Sequence, residues 1–447
     1  MKSKGLTGQL KQKLIEKSLQ RKLKQHTQGD ASSGIGIFSK VPSQEQQLAT
    51  DFAQHNAYKQ IKLMREASEA LGLSDPFFKA HEGLAGATTR INGRELINFS
   101  SYNYLNLSGD PRVNQAIQEA VEQYGSSVSA SRMVSGERPI HQQLEKALAD
   151  HYQVDDAVVF VSGHATNVTV IGFLMQPGDL ILHDEWVHNS ALMGAQMSTA
   201  KRIAFRHNDM VHLEDLLEQY RSQFKRVLIL SEGLFSMDGD WPNLHSLVEL
   251  KNRYHAWLMI DEAHSLGVLG SRGYGLAEQF GLSPNAVDIW MGTLSKSLAG
   301  CGGYIAGASP LVEMLRCLCP GFLYSVGMPA AMAAASLTAL DIMHAEPERA
   351  RQLAANAQLF KQALDHAGFD TGQSQGRGLV PLITGSSVKA TRLAAALFER
   401  DINVQPIVYP AVPEKQARLR FFISSAHTET QLLKTVNELK QILPRLA

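Results

Sequence analysis

Five short apolar runs alternate with amphipathic stretches through the middle of this chain, and no other feature of the sequence narrows the fold as much. "AVVFVS" (157–162), "LILH" (180–183), "RIAF" (202–205), "RVLILSE" (226–232) and "AWLMIDE" (256–262) are rich in aliphatic and β-branched residues. Apolar runs without a polar face belong to strands covered on both sides, the setting of a parallel sheet whose crossover helices lie on its two faces. The expectation is an α/β chain with a mainly parallel, doubly wound sheet. "IWM" and "GGYIAG", on either side of Lys296, read as two more buried strands. An Ala-rich run from Pro329 to about His344 reads as a long helix leading into a smaller C-terminal α/β domain. The organisation expected is a basic helix and linker over 1–45, an arm over 46–97, a large domain over 98–335 and a small domain over 336–447.

Composition removes several classes of function. With 447 residues, 44% hydrophobic and 19% charged, the chain can bury a large core. Its formal net charge is zero, so no global basic field points to nucleic acid, and no apolar run reaches the length of a membrane span. Cys301, Cys317 and Cys319 are too few for a disulfide framework and suit a reducing cytosol. "RCLCPG" lacks a second Cys or His pair at ligand spacing, so its cysteines read as buried thiols and no metal is expected. The N-terminus has no signal-peptide core, and the reading is a cytoplasmic protein. Residues 1–30 stand apart: seven Lys and one Arg face only Glu16 and Asp30, a net charge of +6, with Leu6, Leu10, Leu14, Leu19 and Leu23 at helical spacing. Such a segment is a solvated extension, a membrane-surface anchor or a dock for an acidic partner.

The first chemical clue is Lys296, set among Thr, Ser and Gly in "VDIWMGTLSKSLAGCGGYIAG" (287–307). A loop lysine is ordinarily a solvated charge. Next to a protein interior it loses hydration, its pKa falls and its amine becomes a nucleophile. Glycines let backbone approach a ligand, while Thr293 and Ser295 offer hydroxyls to a phosphate. A Schiff base to pyridoxal phosphate fits that setting. Parallel sheets gather functional groups at the carboxyl ends of their strands. There the chain sets Gly163 of "SGHATN" at a helix start suited to phosphate, His188 after "LILHDEW", "GLFSMDGD" after "RVLILSE", and Asp261 and His264 in "DEAHSLG". A carboxylate such as Asp261 beside a pyridine nitrogen keeps it protonated; the bland alternative is a helix cap. For His183, His188 and His207 a zinc-ligand spacing is absent, leaving packed or solvated rings as the alternative to cofactor contact.

"SYNYLNL", "ASRMVSGERPIHQQLE", "SGHATN", "EGLFSMDGD", "DEAHSLGVLG", "GTLSKSLAGCGGY", "FLYSVGMP" and "ARLRFFISSAHT" occur in the order and approximate spacing of the α-oxoamine synthases, and the chain resembles that family over roughly residues 80–445. "SSVSASRMVSGERPIH" and "SGHATN" look most like members that accompany polyketide or fatty-acid assembly lines. The resemblance implies a fold-type I pyridoxal-phosphate transferase. It implies that Lys296 holds the cofactor and serves as acid and base, that Asp261 pairs with the pyridinium nitrogen, and that His188 stacks on the ring. His264 and Ser236 would hydrogen-bond the phenolic oxygen, and Gly163, His164 and Thr293 the phosphate. Arg420, with help from Asn103, would grip the amino-acid carboxylate, although Arg418 stands close enough to compete for that role. Family members are homodimers with the active site at the interface, so Ser325 and Gly327 would serve the partner's cofactor. Ser131 stands where glycine-specific relatives have threonine, which favours alanine or serine over glycine. The implied reaction joins the amino acid to an acyl thioester, on coenzyme A or an acyl carrier protein, with loss of CO₂. Two positions depart from the pattern: His164 replaces an aromatic residue, and Asn106 replaces the glycine of "NYLGL".

Rival classes have weaker support. "DEAH" suggests an NTPase, yet the chain has no phosphate-cradling G-x-x-x-x-G-K-[ST] loop. A non-catalytic subunit would have lost its lysine. An aminotransferase would share fold and lysine and differs only in its products.

Overall fold

The computed structural model describes residues 49–70, 72 and 75–446; the basic segment and the linker lie outside the described residues. The described residues fall into two units that divide between Phe77 and Phe78. In the first, a short turn at Phe52–Gln54 leads into a helix over Asn56–Ala70. No described helix is long and apolar enough to cross a membrane.

The second unit carries thirteen strands: β1 Thr88–Ile91, β2 Arg94–Asn98, β3 Asp156–Phe160, β4 Leu180–Asp184, β5 Lys201–Phe205, β6 Val227–Glu232, β7 Trp257–Asp261, β8 Ile289–Thr293, β9 Gly303–Gly307, β10 Leu379–Ile383, β11 Ile402–Asn403, β12 Gln405–Ile407 and β13 Arg418–Phe422. Seven of them form one sheet in the order β3-β9-β8-β7-β6-β4-β5. Pairing is parallel from β8 to β5, while β9 runs antiparallel to both its neighbours. Every residue of β4, β6, β8 and β9 is buried, as strands without a polar face require. Since β3 is parallel to β8 across β9, the carboxyl ends of β3, β8, β7, β6 and β4 share one edge of the sheet. Two three-stranded sheets complete the unit: β10-β13-β12, which is antiparallel, and β1-β2-β11, in which a C-terminal strand joins the early hairpin.

The Ala-rich run is a helix over Ala330–Ala345, and Ala330 and Ala334 pack on Ala120 of the helix Pro111–Tyr124. That second helix starts on Asp110, whose side chain accepts from the Arg112 N–H, with Pro at its first turn and Gly125 beyond its end. Small side chains let backbones approach: a Cβ on Gly300 would meet Ser336 Oγ at 2.2 Å. Asn106 adopts φ +55°, the left-handed conformation that asparagine tolerates better than most residues, so the replaced glycine keeps its backbone role. The reading of the "RCLCPG" cysteines as buried thiols is corrected at one position. Val312, Leu315 and Cys319 form the buried stripe of the helix Ser309–Leu318 and its end, whereas Cys317 falls off that stripe and is exposed.

Candidate active site

A cavity of about 410 Å³ opens at the shared strand edge. After β3, Ser162 caps the helix Gly163–Leu174, its Oγ accepting from the Ala165 N–H at 3.3 Å. The first turn of that helix faces the end of β8. A Cβ built on Gly163 would lie 2.7 Å from Thr293 Oγ1, so glycine alone leaves this space open. Thr293 Oγ1 bonds Ser295 Oγ at 2.8 Å and donates to the Gly302 carbonyl at 3.0 Å. Unspent helix N–H groups, two hydroxyls and a gap without a side chain make a seat for an anion.

Asp261, the last residue of β7, accepts from Asn167 Nδ2 at 2.7 Å and from the Ala263 N–H at 2.9 Å. Asn167 lies one turn beyond Gly163 on the same helix face and also donates to Ser190 Oγ at 3.0 Å, which in turn bonds His188 Nδ1 at 2.7 Å. The His188 N–H donates to Glu232 Oε1 at 2.5 Å. Glu232 ends β6 and is the ladder partner of Asp261, so two carboxyl groups stand side by side. Burial, reinforced by the Asp261 charge, raises Glu232 well above the usual carboxylate range. Burial likewise pushes His188 down, against the pull of Asp261.

Lys296 projects from the loop after β8, its Nζ 5.4 Å from the centre of the Tyr102 ring. Burial pushes its ammonium down to about 8; Asp261 and Glu232 pull it upward and Arg420 adds to the fall. His264 bonds Tyr104 Oη through Nδ1 at 2.8 Å, and burial, with Lys296 and Arg420 near, holds the ring neutral. On β13, Arg418 and Arg420 share a face two residues apart. Arg418 is spent on Asp238 Oδ1 at 2.7 Å and the Met237 carbonyl at 2.8 Å. Arg420 lines the cavity and donates to the Ser236 carbonyl at 3.0 Å, while its Nε is buried with no hydrogen-bond partner among the described residues.

Lys296, His188, Asp261, His264, Gly163, His164, Ser236, Thr293 and Arg420 all line this one cavity. Asn103, Ser131 and Ser325 do not. The Asn103 side chain closes its own turn, Oδ1 accepting from the Ser108 N–H at 3.1 Å and Nδ2 donating to the Ser108 carbonyl at 3.3 Å. Its neighbour Tyr102 reaches the cavity instead. Ser131 precedes the turn Arg132–Gly136 and Ser325 follows the short helix Pro320–Leu323; the two segments adjoin through a Gly327 N–H to Ala130 carbonyl bond of 2.9 Å. The donor set suits pyridoxal phosphate: an anion seat that a Cβ would fill, a carboxylate held by two donors, and an amine of lowered pKa on one wall.

The family model for aminotransferase class I and II matches residues 94–439. Curated relatives include the 8-amino-7-oxononanoate synthase of Symbiobacterium thermophilum, 43% identical over 342 residues, which covers 76% of this chain and 87% of the relative. The chain belongs to the aminotransferase class I and II family, and within it to the α-oxoamine synthases. A second 8-amino-7-oxononanoate synthase, from Thermoanaerobacter pseudethanolicus, is 39% identical over 78% of this chain and 88% of its own length. Among solved structures, Sphingomonas wittichii serine palmitoyltransferase superposes with a TM-score of 0.84 at 27% identity, covering 89% of this chain and 99% of that one. As an α-oxoamine synthase the chain has the fold-type I transferase architecture and is a C-acyltransferase. Reading strand ends in the sequence passed over Glu232, Asn167 and Ser190 in this α-oxoamine synthase. Asn167 had a signal: four residues after Gly163, it must share that glycine's helix face.

Proposed function

We propose that the chain condenses a small amino acid, alanine or serine in preference to glycine, with an acyl thioester carried on an acyl carrier protein or coenzyme A. The reaction class is that of the family: amino acid and acyl thioester give an α-amino ketone, CO₂ and free thiol. Its cofactor is pyridoxal 5′-phosphate, which when bound supplies an electron sink for negative charge at the amino-acid α-carbon. Gly163, His164 and Thr293 would hold the phosphate, Asp261 would keep the ring nitrogen protonated, His188 would stack on the ring, and Ser236 and His264 would bond the phenolic oxygen. Arg420 grips the substrate carboxylate through the guanidinium face left unpaired, since Arg418 is occupied by Asp238. Lys296 takes the α-proton and returns one after CO₂ has left, a task suited to an amine whose pKa burial has brought down to about 8, within reach of physiological pH.

Serine is a candidate because solved neighbours include serine palmitoyltransferases, and the small Ser131 leaves room for a substituent on the α-carbon. A homodimer would bring Ser131 and Ser325 to the partner's cavity. Exposed apolar side chains support it: Met133, Val134, Tyr324 and Val326 stand on the two adjoining segments. Residues 98–335, with the seven-stranded sheet, serve as the cofactor-binding domain, and residues 336–447 as the smaller domain. An acidic carrier protein is the partner to which the +6 segment is suited, in the manner of assembly-line members, with membrane contact through residues 1–30 as the competing role. We place the enzyme in the cytoplasm, where thioester donors and reduced cysteines coexist.

The observation that carries this reading is the convergence of Lys296, Asp261, Arg420 and the Gly163–Thr293 seat on one cavity. The test is exchange of the substrate α-proton for deuterium by holoenzyme, with alanine, serine and glycine compared. Lys296→Ala is expected to retain pyridoxal phosphate noncovalently and to lose exchange by at least about 10³-fold. Exchange by that variant at the wild-type rate would remove Lys296 as the base.

A further inference from the structure

Outside the cavity, one ring is built into the fold more firmly than packing alone requires. His207 follows β5, and its two nitrogens reach two carboxylates on different elements: Nδ1 lies 2.9 Å from Asp184 Oδ1 at the end of β4, and Nε2 lies 2.8 Å from Asp240 Oδ2 in the loop after β6. Both aspartates are buried. Trp186 stacks on the ring with centroids 3.7 Å apart, and Phe235 meets its edge at 4.5 Å. Asn208 fastens the same groups, its N–H donating to Asp184 Oδ2 and its Nδ2 to Asp240 Oδ2, each at 2.8 Å.

Both tethered loops continue into the cavity. From Asp184 the chain runs through Trp186 to His188. The loop closed by the Phe235 N–H to Asp240 carbonyl bond, 2.8 Å, carries Ser236 and Met237. The Ser236 carbonyl accepts from Arg420 and the Met237 carbonyl from Arg418. His207 therefore connects through Asp240 and its loop to the Ser236 carbonyl that holds Arg420.

We infer that His207 is a positioning residue of this reaction: by tying Asp184 to Asp240 it fixes the two loops that present His188 and the Arg420-anchoring Ser236 carbonyl to the cavity. The inference rests on Arg420 holding the amino-acid carboxylate. Burial opposes a charge on His207, but the bonds to Asp184 and Asp240 outweigh it and raise the ring to about 9, so the tether carries a cation at neutral pH. The other titratable and charged groups facing this node are Glu185, whose carboxylate accepts the His207 N–H at 3.0 Å, and, beyond Asp184, Glu232, whose pKa burial raises; the adjacent Arg206 is turned to Asp209. The imidazolium tether is intact below pH 9 and weakens as pH rises through it, leaving two buried aspartates facing each other.

The experiment measures α-proton exchange of alanine by holoenzyme against alanine concentration and pH, on the wild type, His207→Gln, Asp240→Asn and Arg420→Ala. Absorbance of bound cofactor and melting temperature are read in parallel. His207→Gln is expected to raise the alanine concentration for half-maximal exchange at least tenfold, with the maximal rate within threefold of wild type. Asp240→Asn, which keeps the ring, moves the same parameter the same way. The wild type shows a loss of alanine affinity above pH 9 beyond that of the histidine variant, which lacks this limb. Unchanged half-saturation in both variants overturns the inference, as does a fall in maximal rate that merely follows the melting temperature. Should Arg420→Ala leave alanine affinity unchanged, the reading of the carboxylate site fails first, which separates the two claims.

Discussion

Two arginines on one strand face show how partners, rather than residue type, decide a role. Arg418 sits 2% exposed with Asp238 Oδ1 at 2.7 Å, while Arg420 has a buried Nε without a partner. Removing one member of a buried ion pair strands the other charge, at a cost of about 3–5 kcal/mol. Arg418→Ala is therefore expected to lower unfolding stability by about that amount in a denaturant titration. Arg420→Ala should leave stability within about 1 kcal/mol and weaken amino-acid affinity by roughly 100-fold or more, as loss of a charged bidentate partner implies. Equal destabilisation by both variants would erase the distinction. The sequence left the two open because residues spaced by two on a strand point the same way; only the position of Asp238, 180 residues earlier, separates them.

At the scale of elements, the sheet was legible because its strands lack a polar face. The runs at 157–162, 180–183, 202–205, 226–232 and 256–262 fall on β3, β4, β5, β6 and β7 within a residue or two. Strand ends then led directly to Gly163, His188, Asp261 and Lys296. What could not be read was how side chains reach across elements: Asn167 to Asp261, Tyr104 to His264, His207 to Asp240. Such contacts depend on the distance between strands that adjoin in space but not in sequence. Gly292, in the middle of β8, shows the same dependence. A Cβ there would fall 2.1 Å from Tyr304 Oη and 2.2 Å from Cζ, a ring that is itself buried and bonded to Tyr152 Oη at 2.7 Å. Gly292→Ala is expected to cost about 1–3 kcal/mol by overpacking, read as a lower denaturation midpoint with unchanged slope. A neutral substitution would mean that Tyr304 swings away freely.

For the whole molecule, the proposed dimer makes Ser131 and Ser325 parts of a site that one chain alone does not complete. Tyr324 and Val326, on either side of Ser325, are 88% and 50% exposed, an uncommon state for large apolar side chains. The double variant Tyr324→Asp, Val326→Asp is expected to shift the enzyme from dimer to monomer in sedimentation and to reduce condensation at least tenfold, with the fold retained by circular dichroism. A monomeric wild type of full activity would end that proposal. The central claim, that the Lys296 cavity performs a decarboxylative condensation, is tested most directly by product stoichiometry. Holoenzyme is given carboxyl-labelled alanine or serine together with a series of acyl thioesters, and labelled CO₂ and free thiol are counted. The account predicts equal amounts of the two, dependent on both substrates and absent in Lys296→Ala; thiol without CO₂, or amino transfer to a keto acid in its place, would contradict it.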